Sequence, residues 1–170
     1  GEITNLPLVS HIAKKGKPII LSTGMASLSE VETAVLEIER ANNHQIILLH
    51  CVSQYPAPDE DTNLRAMETL KTAFQYPVGL SDHSIGTAIP IAAFAMGACI
   101  IEKHFTLSKK LEGPDHQASL EPQELSDLVI SLKRVYSALG NSRKRPAESE
   151  RDTALVARKS IVAIGFIPAG

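Results

Sequence analysis

Two histidines placed one helix apart are the residues of this 170-residue chain best suited to chemistry. Residues 79–106 read GLSDHS, then an apolar run, then IIEKHFT, so His83 and His104 each follow an apolar, strand-like segment. Successive strands of a parallel βαβ unit are commonly neighbours, about 4.8 Å apart. Imidazoles leaving their C-terminal ends can converge on one cation. The spacing thus predicts a metal site formed by His83 and His104. Two histidines that only hydrogen-bond near a loop fit the same spacing, and both readings stand.

Polar groups close every proposed strand: Ser22-Thr23, His50-Cys51-Val52-Ser53, Ser81-Asp82-His83 and Lys103-His104. In a parallel α/β fold these ends share one face, where ligands bind. Strands that simply stop where polar loops begin produce the same pattern. Ser22, Ser53 and Ser81 suit hydrogen bonds to a phosphate or carboxylate, or capping of the helices that follow. Asp82 suits orienting a histidine or bonding the local backbone. Tyr55, in a proline-rich turn, suits lining a pocket or packing the loop. His11, His44 and His50 read as ordinary residues, the last buried behind the sheet end.

Positioning these groups takes regular alternation of elements. Residues 6–15 carry Leu8, Val9 and Ile12 at helical spacing before Gly16. Residues 18–21 read as a buried strand, and Ser27-Leu28-Ser29-Glu30 is a capping-box pattern opening a helix with Val31, Ala34, Val35, Ile38 and Ala41 on one face. Residues 45–51 form a near-continuous apolar strand, as in a parallel sheet covered on both sides. A helix with Leu64, Met67, Leu70 and Phe74 follows, then a strand at 77–80 and a helix at 87–96 that is apolar nearly all round and reads as buried. Residues 98–102 are the next strand and 109–120 a polar loop. Pro122 starts a helix with Leu125, Leu128, Leu132, Val135 and Leu139 inward, closed by Gly140. This alternation predicts parallel α/β architecture. Residues 141–152 lack apolar periodicity and read as linker or exposed coil, with Ser142-Arg143-Lys144-Arg145 a solvated hinge. Residues 160–169 read as a strand and turn entering a new unit.

Composition sets bounds. A hydrophobic fraction of 44% allows one ordinary core. A formal net charge of −2 gives no reason to expect nucleic acid or an anionic membrane as partner. Cys51 and Cys99 both lie in apolar runs, where a reduced, buried thiol is expected, and with no signal-peptide pattern this points to the cytoplasm. The longest apolar segment, residues 88–101, is too short to span a bilayer. The chain opens on Gly1-Glu2 without an initiating methionine, which suggests a piece of something longer.

The motifs Gly1-Glu2, KPIILSTGM, LLHCVSQYPAP, GLSDHS, EKHFT and GPDHQASLEP, in this order, resemble the sialic acid synthase family. Its members make N-acetylneuraminate, legionaminate or pseudaminate by condensing phosphoenolpyruvate with an N-acetylated amino sugar. The tail ARKSIVAIGFIPAG resembles the start of the small antifreeze-protein-like (SAF) domain that follows the barrel in this family. The resemblance implies an α/β fold, the second half of a (β/α)8 TIM barrel over residues 1–140, a linker at 141–153 and the first part of a SAF-type domain at 154–170.

Carried over position by position, His83 and His104 match the family's ligands for a divalent metal, usually Mn2+, with Mg2+ or Co2+ as alternatives. Glu2 matches a catalytic carboxylate near the metal and its water. Ser22 and Ser81 match phosphoenolpyruvate contacts, and Ser53 stands where some members have asparagine. Tyr55 and Asp115 match sugar-contacting positions, and His116 is more similar to sialic and legionaminic than to pseudaminic acid synthases. The implied acceptor is N-acetylmannosamine or a diacetylated dideoxy analogue, and the implied assembly a homodimer of the full-length chain. The implied reaction is attack of phosphoenolpyruvate C3 on the open-chain aldehyde, then water addition at C2 and loss of phosphate by C–O cleavage. A (β/α)8 barrel needs about 250 residues, so the 170 residues alone are expected to be inactive and poorly stable, with strand edges exposed at Leu21 and Ile101. A non-catalytic metal- or sugar-binding α/β module, or a different α/β-barrel lyase, are the rival readings.

Overall fold

The computed structural model describes residues 1–169. Two units separate at residue 139/140. The first alternates helix and strand: α1 (Leu6–Ala13), β1 (Ile19–Ser22), α2 (Leu28–Arg40), β2 (Ile46–Cys51), α3 (Asp59–Thr62), α4 (Ala66–Phe74), β3 (Val78–Asp82), α5 (Ala88–Ala95), β4 (Ile101–Lys103) and α6 (Pro122–Leu139). Among the described residues the sheet has four strands, all parallel, in the order β1-β2-β3-β4. Chain order equals spatial order, as in a progressively wound barrel wall.

Local chemistry explains the boundaries. Asn5 caps α1, its side chain accepting from the Leu8 N–H, and Gly16 takes φ +65° just beyond the helix. Ser27 caps α2 in a capping box, Glu30 reaching back to the Ser27 N–H at 2.7 Å. The short helix α3 has no apolar period and no signal in the hydrophobic pattern; three acidic residues at its start suit a helix N-terminus.

The core lies between one sheet face and the helices. Ile46, Leu48, Val78 and Leu80 cluster with Val31, Ala34, Val35 and Ile38 of α2, Met67 and Leu70 of α4 and Ala93 of α5. The other face is less covered: Ile20 in β1 is 54% exposed.

Several expectations are corrected. Helix α5 is not buried all round: Pro90 and Ala93 are buried, whereas Ala88, Ala92 and Ala95 face outward, as does Met96 just beyond. Uniform apolarity gave no face to read, and small alanines tolerate exposure. In α6 only Leu128 is buried; Leu125 and Leu139 are exposed, because α5 is the one element that α6 packs on to any extent. Cys99 is exposed, since β4 begins three residues later than the apolar run suggests, at Ile101. In the second unit a helix, α7 (Arg151–Ala157), begins inside the expected linker, and residues 160–169 form no strand. Among the described residues no helix is long and apolar enough to cross a membrane.

Candidate functional site

Register decides which side chains share a face. Cys51 pairs with Ser81, and Ser81 with Glu102. Side chains alternate along a strand, so Cys51, Ser81 and Glu102 point away from the helices, while Leu80, Asp82 and Lys103 point toward them. His83 and His104 are the first residues beyond β3 and β4, two positions after Ser81 and Glu102 and therefore on their face.

There the two imidazoles meet. Their ring centroids are 5.1 Å apart and edge-on, at 86°. The Tyr55 ring lies 4.2 Å from His83 and 5.4 Å from His104. Sequence placed Tyr55 in a turn; the turn, which includes a cis Tyr55–Pro56 peptide, delivers it onto the histidine pair. His83 is buried and donates from Nδ1 to the Val52 carbonyl oxygen at 2.7 Å. A carbonyl only accepts, so Nδ1 carries a proton, and it is Nε2 that holds the lone pair in the neutral ring. The His104 Nδ1 lies 3.9 Å from Asp115 Oδ2, which brings a residue of the 109–120 loop to the pair. That loop is tied down by Thr106 Oγ1 and His116 Nδ1 at 2.7 Å and by Ser119 Oγ donating to the Asp115 carbonyl at 2.7 Å. Burial first, then the Cys51, Asp115 and Glu102 acidic groups, raise the Tyr55 pKa, so its phenol is a neutral donor at physiological pH.

The serines are spread over three strand ends. Ser81 is buried and donates to Glu102 Oε1 at 2.6 Å. Ser53 approaches Gly24 so closely that a Cβ there would come within 2.2 Å of its Oγ, so any larger residue would make the Ser53 hydroxyl turn aside. Ser22 ends β1 and is half-buried. None of the three caps a following helix: the N-caps of α2, α3 and α5 are Ser27, Pro58 and Thr87.

Glu2 is engaged within its own segment. Its Oε2 accepts from Asn5 Nδ2 at 2.8 Å, at the start of α1. Among the described residues no group of three His, Cys, Asp or Glu side chains is arranged to hold a metal, so the expected two-histidine pair has no third ligand of these types. Asp82 makes no hydrogen bond to a histidine: its Oδ1 accepts from the Ser84 N–H and Oγ, and its Oδ2 from Lys103 Nζ at 2.6 Å. His50 is half-buried and donates from Nε2 to the Thr62 carbonyl oxygen at 2.7 Å.

Sequence reasoning missed Glu102 and the Asp82–Lys103 pair. The period-two spacing of Glu102 before His104 was a signal for the former. The latter pairing depends on strand register and had none.

Fold and face together define a parallel-strand α/β half-barrel that gathers its polar groups at the strand C-termini. Residues 1–144 match the NeuB family, and the chain belongs to it. Over 165 residues it is 53% identical to an N,N'-diacetyllegionaminic acid synthase of Campylobacter jejuni, matching 96% of this chain and 49% of that one. Over 171 residues it is 41% identical to the N-acetylneuraminate-9-phosphate synthase of Mus musculus, matching 100% of this chain and 47% of that one. The crystal structure of the N-acetylneuraminic acid (sialic acid) synthetase of Leptospira borgpetersenii, in complex with citrate, superposes with a TM-score of 0.81 at 44% identity, covering 91% of this chain and 54% of that one. The chain thus spans about half the length of the relatives it matches.

Proposed function

We propose that this chain is the second half of a (β/α)8 barrel, leading into a SAF-type domain, in a nonulosonic acid synthase that condenses phosphoenolpyruvate with an N-acetylated amino sugar and acts as a homodimer. The observation that carries this reading is the His83–His104 pair, 5.1 Å apart under Tyr55, on the face where Ser81 also lies. Family membership and the relatives' names supply the reaction class.

The donor set fits a divalent ion such as Mn2+, with Mg2+ or Co2+ as alternatives, in part. His83 offers Nε2, with its tautomer fixed by Val52, and His104 a second imidazole. Two protein ligands leave the remaining positions to water and substrate, as in an open catalytic site. A bound ion supplies Lewis acidity at the sugar aldehyde. The chain's own groups do the rest. Tyr55, a neutral donor, and Asp115, an acceptor, suit the hydroxyls of the amino sugar. Ser22 and Ser53 hydroxyls suit the phosphate. Ser81 joins them as a donor only when Glu102 gives up its present bond. Glu2 is the candidate to orient or deprotonate the water that adds at C2, provided that bound substrates or the rest of the protein turn it from Asn5.

The test is made on the full-length protein, following phosphate release and nonulosonic acid formation from phosphoenolpyruvate and N-acetylmannosamine or its diacetylated analogue. Turnover lost with EDTA, restored by Mn2+ and abolished in His104→Ala is expected. Metal binding without phosphate release would favour a non-catalytic binding module, and undiminished turnover in His104→Ala would remove the assignment. The 170 residues alone are expected to give no product.

A further inference from the structure

Behind the histidine pair, on the helix-covered face, lies an ion pair with almost no contact with water: the side chains of Lys103 and Asp82 are 3% and 1% exposed. Lys103 Nζ donates to Asp82 Oδ2 and to the Ser84 carbonyl oxygen, both at 2.6 Å. Asp82 Oδ1 closes the group by accepting from the Ser84 N–H at 2.9 Å and from Ser84 Oγ at 2.7 Å. Desolvating two charges is costly, and apolar residues of similar volume commonly serve stability as well or better. One step earlier on the same face, the paired positions are the apolar Leu80 and Ile101. Stability therefore does not explain the charges.

Direction does. Lys103 immediately precedes His104, and its ammonium grips the residues on both sides of His83. An apolar pair would fill the space without fixing either backbone. We propose that Asp82, Lys103 and Ser84 form a clamp that sets the separation and mutual rotation of the two imidazoles, making Asp82 and Lys103 positioning residues for the divalent cation. The inference rests on the metal reading of the pair given above.

The experiment uses full-length protein and Mn2+ alone, with the affinity read from the electron paramagnetic resonance signal of free Mn2+. The decisive variant is the apolar double substitution Asp82→Leu with Lys103→Met, which leaves no buried charge unpaired; Lys103→Arg tests conservative rescue. The double variant is expected to stay folded, melting below wild type because the buried Ser84 N–H, Oγ and carbonyl lose their partners, and to bind Mn2+ about 10–100-fold more weakly, with Lys103→Arg in between. A folded double variant with wild-type Mn2+ affinity would overturn the clamp. Equal Mn2+ binding by wild type and His83→Ala would instead overturn the metal reading. In that event a crystal structure of the double variant decides the clamp separately: displaced imidazoles support it, and rings still 5.1 Å apart and edge-on refute it.

Discussion

Tyr76 shows how one side chain links packing to pH. Its hydroxyl donates to Glu39 Oε1 at 2.7 Å, joining the end of α4 to α2. Burial first, then this hydrogen bond and the Glu39 charge, push its pKa from 10.0 up to about 12. The folded state therefore favours the neutral phenol. Its contribution is complete below about pH 10 and is lost as pH rises through about 12. Tyr76→Phe should make unfolding free energy, measured by urea titration, fall less steeply across that window than in wild type; parallel slopes would remove the bond from the account. At the same scale His83 is prepared by the Val52 carbonyl, 2.7 Å from Nδ1 and nearer than Cys51 Sγ at 3.8 Å, which selects the tautomer that leaves Nε2 available in the neutral ring.

At the scale of elements, close approach and burial decide which positions tolerate change. At Gly79 in β3 a Cβ would fall 2.5 Å from the Ile100 carbonyl oxygen and 2.7 Å from Leu49 Cδ2. The backbone cannot yield without opening the β3–β4 pairing, so Gly79→Ala should cost about 1–3 kcal/mol, read by chemical denaturation. A melting temperature equal to wild type would mean the strands move apart freely. Helix α6 makes a sharper contrast. Leu128, its one buried residue, should cost about 2–5 kcal/mol when cut to alanine, whereas the exposed Leu139 should change stability by about 0.5 kcal/mol or less. Equal losses at both sites would contradict the packing described. Breaking the Asp82–Lys103 pair from one side, as in Lys103→Met, should cost about 3–5 kcal/mol by stranding a buried carboxylate, which is why the double substitution is the cleaner test of positioning.

For the whole molecule the governing feature is an open sheet. Strand β1 pairs only with β2, and β4 only with β3, so each end of the sheet presents a free edge among the described residues. Ile20 is left largely exposed on the face away from the helices. Such edges pair readily with other chains. The 170 residues by themselves should therefore associate as concentration rises, with an apparent mass by light scattering above that of a monomer. A monomer at all concentrations would show that the edges are sufficiently protected.

The alternation of helices and parallel strands, the capping box at Ser27, the strand-end serines and the pairing of His83 with His104 were legible in the sequence, because each rests on local periodicity or on short spacing along the chain. The notable exception is reach: Tyr55 and Asp115 had positions in loops, and the fold brought them to the histidines. Tertiary structure alone decided that Ser81 bonds Glu102 and Asp82 bonds Lys103, since a slip of one residue in strand register would exchange the two faces. It also decided that Cys99 and much of α5 face outward and that Glu2 turns to Asn5. Sequence specifies which residues are apolar and how they repeat; which of them find something to cover them depends on segments far away in the chain.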